Sequence, residues 1–345
     1  MGAIWIRLLS GILMLWLCAK KRYDFIYVRE LEINPAPRWC SKIFKIPLYI
    51  EINDLLVPYF SKAGAPKAWV TKVERNQKQD FRRAAGLIVP SIPMRQWLLA
   101  HYDLNPEKLH FLINGAELPP KPPVSREKAR SRLKVPSGSF CLGFVGNIYE
   151  RYDFDTLLRA IRLCSLKLPE LRLLLIGDGP LKPELDRRTA EIGFQDRVIS
   201  TGYIPSDLLG DFLPAMDVGL SIGSHYLTRT YGAVTTKVAT YAIHRIPVIV
   251  SGESLEGYPE ELQKNLFVIQ PEDAPALADL IVRLRRNPSE LREKSENLYA
   301  YVKSEMTWDA VAQRVLCKAS DSNHQCTGMS LAKSAITAHE TLQII

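Results

Sequence analysis

From residue 23 onward the chain alternates short apolar runs with longer stretches of helical period. FIYV (25–28), PLYIEI (47–52), LIVP (87–90) and HFLI (110–113) have the length and composition of buried strands. Helical patterns lie between them at 55–62, 67–84 and 92–101. Strand and helix taking turns in this way predicts a parallel sheet covered by helices. The rhythm stops in ELPPKPPVSREKARSRLKVPSGS (117–139), a proline-rich polar stretch with the composition of a linker. It resumes more completely, with strands expected in FCLGFVG (140–146), LRLLLIG (171–177), RVISTG (197–202), VGLSI (218–222), PVIVS (247–251) and LFVIQ (266–270). Helices are expected at 153–168, 181–192, 206–214, 236–244, 274–286 and 288–304. The fold class is therefore α/β, with a first Rossmann-like domain over 1–122, a linker over 123–139 and a second, more completely doubly wound domain over 140–304. A helix at 305–319 is expected to return to the first domain, and 320–345 reads as a loosely attached polar tail.

A length of 345 residues suits two cores of ordinary size. The net charge of +8 is lopsided: 21 Lys and Arg against 11 Asp and Glu through residue 130 make +10, which leaves −2 for the remainder. A basic first half faces either an anionic partner or nothing in particular, since surface lysines scatter widely. No nucleic-acid motif accompanies the charge, so an anionic membrane surface or an acidic acceptor fits better. The six cysteines show no C-x-x-C pair and no metal-ligand spacing with histidine. They suit packing roles in a reducing, cytoplasmic setting. MGAIWIRLLSGILMLWLC (1–18), followed by KKR, is broken by Arg7 and is short for a membrane span. It reads as a helix packed on the first domain or lying on a bilayer, the second case making the protein peripheral at a membrane.

Two turns carry candidate chemistry. FVGNIYERYDFDTLL (144–158) has a strand ending in Gly146 and a helix starting near Asp153, an arrangement that lets an anion approach backbone and helix amides. LLLIGDGPLKPEL (173–185) repeats it with Gly177 and Gly179 and a proline in the first helical turn. Either alone is equally a tight turn with no ligand.

Taken in order, Gly146, GDGP, RVISTGYIP, MDVGLSI and TTKVATY…PVIV resemble the family-4 retaining glycosyltransferases, enzymes of GT-B fold that take a sugar from a nucleotide diphosphate sugar. The resemblance runs over about residues 23–315, including YDFIYVRE (23–30), IPLYIEIND (46–54) and the tryptophan of TWDAVAQRV (307–315). It implies two Rossmann-like domains, no cofactor or essential metal, a nucleotide-sugar donor, and a glycan or lipid-linked acceptor. It places Gly146 and Asn147 at the donor diphosphate with Lys237, and Thr235 and Thr236 as added hydroxyl donors. A lysine suits the charge that grows on a departing diphosphate. Tyr203, in RVISTGYIP, becomes a candidate for nucleobase contact, and His225, after VGLSI, lies where donor-sugar contacts occur in the family.

The pattern also departs from the family. Two glutamates eight positions apart correspond here to Gly232 and Thr240. A threonine at 240 offers one neutral hydrogen bond where a carboxylate would accept two from a ribose, a loss of roughly 1–3 kcal/mol. The glycine before the family's PVV is Arg245, and its second basic position in the glycine loop is Tyr152, with Arg151 adjacent as a substitute. Only 22 residues precede YDFIYVRE, where the family has a strand, a glycine-rich loop and further βα units, so the N-terminal domain is expected to be incomplete. Three explanations stand open: an upstream start, a partner chain that completes the domain, or a decaying gene. A catalytically silent binding protein or one subunit of a split transferase is accordingly the alternative to an active enzyme.

Overall fold

The structure, a computed structural model, describes residues 2–30 and 33–321, which excludes nearly all of the tail expected at 320–345. The chain divides into two compact units, one of 1–113 with 311–345 and the other of 114–310.

The first unit opens with α1 (Gly2–Lys20) and continues as β1 (Ile26–Arg29), α2 (Ala36–Phe44), β2 (Leu48–Glu51), α3 (Leu56–Lys62), α4 (Lys67–Arg83), β3 (Gly86–Val89), α5 (Ile92–His101) and β4 (Leu109–Phe111). The four strands pair in parallel and in chain order, so β1 is an edge strand. One sheet face presents Tyr49, Ile88 and Leu112, which are buried together with Val315. Gly86 makes room there, because a Cβ at that position would lie 2.8 Å from the Tyr49 ring. Beside α4 runs a polar chain in which Tyr102 donates to Gln77 and Gln77 donates to Glu30, 2.6 Å at each step. Burial pushes the Glu30 carboxyl up to about 8.

The second unit contains α6 (Arg126–Arg132), β5 (Phe140–Val145), α7 (Phe154–Cys164), β6 (Leu171–Ile176), α8 (Lys182–Glu191), β7 (Val198–Gly202), β8 (Val218–Ser221), α9 (His225–Tyr231), α10 (Thr236–Ile243), β9 (Val248–Ser251), α11 (Glu260–Asn265), β10 (Phe267–Ile269), α12 (Ala274–Arg286) and α13 (Pro288–Glu305). All pairings of its six-stranded sheet are parallel, in the order β10-β9-β8-β5-β6-β7. This is the doubly wound order, with its switch point between β5 and β8. Leu142 and Phe144 of β5, Leu173 and Leu175 of β6, Leu157 and Ile161 of α7 and Leu277 and Ile281 of α12 share one buried core. The last helix, α14 (Trp308–Asp321), starts in this unit and passes into the first at Val311. Its Trp308 ring lies where a Cβ on Gly115 would come within 2.8 Å, and Trp308 N–H donates to the Ala116 carbonyl.

Three expectations need correction. Residues 123–139, read as a linker from their prolines, include α6, whose Ser125 caps it and whose Arg126 and Arg130 pair with Asp217. That part-buried aspartate also accepts the Cys141 N–H at 2.7 Å, so long-range ion pairs override local composition. Residues 206–214 form two short 3-10 turns, at 206–211 and 213–215, because Pro214 interrupts the helical pattern. Helices α2, α9 and α11 were not anticipated; α9 and α11 have fewer than eight residues, too short for a clear period, and α2 begins between Pro35 and Pro37, which read as a turn.

Candidate anion site at the switch point

The site is built around α10. Thr235 caps this helix, accepting the Lys237 N–H at 3.3 Å, and its hydroxyl is 3.0 Å from that of Ser221 at the end of β8. Four residues beyond Lys237, Tyr241 is wholly buried. Its hydroxyl accepts the Val145 N–H at 2.9 Å and lies 3.2 Å from the carbonyls of both Gly143 and Leu220. One phenol thus bolts β5 to β8 just where the two strands part. Gly219 permits the ring to lie flat on the sheet, since a Cβ there would stand 2.6 Å from it. With Tyr241 fixed, the same face of α10 directs Lys237 one turn back, toward the carboxyl end of β5.

There the ammonium meets Gly146. A Cβ at that position would come 3.0 Å from Lys237 Nζ, and the residue has φ +127°, in a region other residues rarely adopt. Lys237 Nζ donates to the Tyr152 hydroxyl and stands 3.9 Å from the centroid of the Tyr152 ring and 5.2 Å from that of Phe144. Arg151 lies over the rings of Tyr149 and Tyr231, at 5.8 and 4.9 Å. Among the described residues no carboxylate forms an ion pair with Lys237. Burial, and secondarily the Arg151 charge, push its ammonium down to about 7. A buried cation faced by a second cation and by a side-chain-free stretch of backbone is arranged for an anion.

The remaining sequence candidates divide between those that brace this site and those that lie apart from it. Gly177 and Gly179 stand behind the loop: Cβ atoms on them would meet the Gly146 and Ile148 carbonyl oxygens at 2.0 and 2.3 Å. Their side-chain-free surfaces let the two turns stack, and Ile148 N–H donates to the Asp178 carbonyl. Asn147 and Thr236 are exposed at the mouth. The Thr240 hydroxyl turns back along the helix to the Thr236 carbonyl, at 3.1 Å. Tyr203 is 76% exposed after β7, the outer strand two places from β5, about 10 Å across the sheet. His225 is engaged by two carboxylates, its Nδ1 3.2 Å from Glu253 and its backbone N–H donating to Glu272. Gly232 is buried at the end of α9 with φ +80°, a conformation that a glutamate would adopt only under strain. Arg245 occupies a left-handed position, φ 56°, and is held by Glu296 and by the Tyr299 ring at 3.9 Å.

Tyr152 was read only as a missing cation. Its role as the group that covers Lys237 was legible at most in the aromatic spacing of Tyr149, Tyr152 and Phe154, which cluster edge to face with Phe144. Among the described residues no cluster of histidine, cysteine and carboxylate side chains suits a metal ion.

Residues 139–287 match the family model described as Glycosyl transferases group 1. The 2-deoxystreptamine glucosyltransferase of Streptomyces kanamyceticus is 26% identical over 170 residues, which are 46% of this chain and 43% of that protein. The lipopolysaccharide core biosynthesis glycosyltransferase LpsD of Rhizobium meliloti is 32% identical over 117 residues, 34% of this chain and 31% of the relative. The chain thus spans less than half the length of these curated relatives. Among solved structures, Anabaena Alr3699/HepE in complex with UDP is similar with a TM-score of 0.71 at 18% identity, over 90% of this chain and 82% of that one. The match to the glycosyl transferases group 1 model thus lies within the second unit, and the chain has the α/β fold of the GT-B glycosyltransferases.

Proposed function

We propose that the chain is a retaining glycosyltransferase that seats the diphosphate of a nucleotide diphosphate sugar on Gly146, Lys237 and Arg151. The observation that carries this reading is the buried Lys237 ammonium, which has a tyrosine and a glycine turn for neighbours and a second cation in place of an acid. In the reaction the bond from the sugar's anomeric carbon to the phosphate oxygen breaks and a bond from that carbon to the acceptor oxygen forms. The acceptor's proton leaves with the diphosphate, whose growing charge the two side chains stabilise. Their cations supply the charge that a metal provides in other transferases. The α10 N-terminus, with Thr235 and Thr236, adds hydroxyl and amide donors. The UDP bound to the Anabaena protein and the glycan setting of the Rhizobium relative support a nucleotide-sugar donor and a glycan or lipid-linked acceptor. Calorimetric titration of the full-length protein with UDP, GDP and ADP, and with their sugars, tests the reading. Absence of binding by all of them defeats it.

A second reading is favoured by two observations. Tyr152 occupies the space over Lys237, and the Thr240 hydroxyl is spent within its own helix. A protein that binds the nucleotide sugar without turning it over, either as a binding module or as the donor half of a split transferase, fits both. The open edge of β1 is where a partner chain would extend the first sheet. Release of free nucleotide from a bound donor, with and without acceptor, separates catalysis from binding alone.

A further inference from the structure

The helices α1 and α2 pack on each other, with Gly11 against Ala36, whose Cβ lies 3.2 Å from where a Cβ on Gly11 would be, and with the free thiols of Cys18 and Cys40 hydrogen-bonded to each other. Away from this seam α1 exposes Leu9, Ile12, Leu13 and Trp16, each 45–64% accessible and spaced three and four residues apart on one helical face. Trp39 and Ile43, four apart on α2, are exposed by 52 and 62%. Six large apolar side chains thus stand in water on two helices that pack on each other, an exposure that calls for a partner.

The charges beside the patch say which partner. Lys20, Lys21, Arg22, Lys42 and Lys45 are all exposed at the C-terminal ends of the same two helices. Residues 2–23 and 33–50 contain no aspartate or glutamate. Lys20 Nζ lies 4.2 Å from the centroid of the Trp16 ring, so the aromatic and the cation end at one level. No helix among the described residues is long and apolar enough to cross a membrane. We propose that this face of α1 and α2 docks the protein on an anionic lipid surface, the apolar side chains entering the acyl boundary and the five cations meeting headgroup phosphates and carboxylates. A second copy of the chain is the poorer occupant: a two-fold contact sets the same face against itself and gathers both sets of cations at one interface. The proposal is independent of the chemistry at Lys237.

The experiment is co-sedimentation of the full-length protein with vesicles of phosphatidylcholine, with or without phosphatidylserine. The protein is expected to pellet with the mixed vesicles, to stay in solution with phosphatidylcholine alone, and to dissociate as salt rises. Lys20→Ala with Lys21→Ala should weaken partitioning by about fivefold per cation removed. Ile12→Asp with Trp16→Asp should abolish it, with circular dichroism confirming that both double variants fold. Failure to pellet with mixed vesicles overturns the proposal, as does pelleting that the aspartate pair leaves unchanged. Light scattering that shows a dimer dispersed by the aspartate pair assigns the face to protein contact, and the proposal is then wrong.

Discussion

Lys237 Nζ stands 3.9 Å from the centroid of the Tyr152 ring and donates to its hydroxyl, an aromatic cap on a cation that has no counter-ion among the described residues. A ring and a phenol oxygen recover part of the hydration that the ammonium gives up, but they do not neutralise it. The free site is consequently costly to the fold, and a diphosphate seated there as proposed would relieve that cost. Lys237→Met should therefore act in opposite directions on binding and on stability. Nucleotide affinity should fall by about tenfold to a hundredfold, the worth of one charge-assisted hydrogen bond. The ligand-free variant should melt at a higher temperature than the parent. Calorimetric titration and thermal melting of one preparation check both.

The depressed Lys237 ammonium sets a pH dependence. In the folded, ligand-free chain the proton leaves near pH 7, whereas in the unfolded chain it stays to about 10.5. Between these values the unfolded state binds more protons, so Lys237 destabilises the fold fully below pH 7 and progressively less up to 10.5. The proposed nucleotide binding should run the other way. A diphosphate favours the ammonium, so above pH 7 binding takes up a proton and affinity should fall by up to tenfold per pH unit. Titrations with UDP from pH 7 to 9 measure this, and the Lys237→Met variant should be nearly flat over the same range. Tyr152→Phe removes the oxygen that accepts from the ammonium and should shift the onset of the decline to lower pH.

Tyr241 offers a test of what holds the switch point open. Its hydroxyl accepts the Val145 N–H and reaches the Gly143 and Leu220 carbonyls from a fully buried position. Tyr241→Phe keeps the ring against Gly219 but orphans that N–H. A loss of about 1–3 kcal/mol in unfolding free energy is expected. Urea denaturation is the measurement, and an unchanged midpoint would mean that the strands are held apart by packing alone.

Much of this architecture was legible beforehand, for identifiable reasons. The inner strands of the second unit are buried on both faces and therefore read as near-continuous apolar runs, as LRLLLIG and PVIVS do. Gly146 and Lys237 were paired through the resemblance of the ordered motifs to a known family, and the structure brings the two side by side. What escaped notice depends on partners distant in sequence. Helix α6 is held by Asp217 more than eighty residues away, and the Tyr152 contact with Lys237 spans 85 positions. Position 240 was read as a lost carboxylate, and only the structure reveals that its hydroxyl bonds the Thr236 carbonyl. Glycines 177 and 179 looked like ligand glycines, yet the atoms nearest their missing side chains belong to the neighbouring turn.

Arg245 shows how a departure from the expected residue is accommodated, and it can be tested by a pair of substitutions. It follows α10 at φ 56°, the left-handed position where glycine is favoured after a helix. A non-glycine residue there costs about 1 kcal/mol. The arginine offsets the strain by pairing with Glu296 and stacking on Tyr299, both on α13. Its ion pair is half exposed and worth little, so the stacking carries most of the compensation. Arg245→Ala loses both contacts and keeps the strain, whereas Arg245→Gly loses both contacts and releases it. The glycine variant should accordingly be the more stable of the two by about 1 kcal/mol in urea denaturation. Equal stability of the two would mean that the turn relaxes out of the left-handed region once the arginine is gone, and that the α13 contacts, rather than the chain's path into β9, impose its conformation.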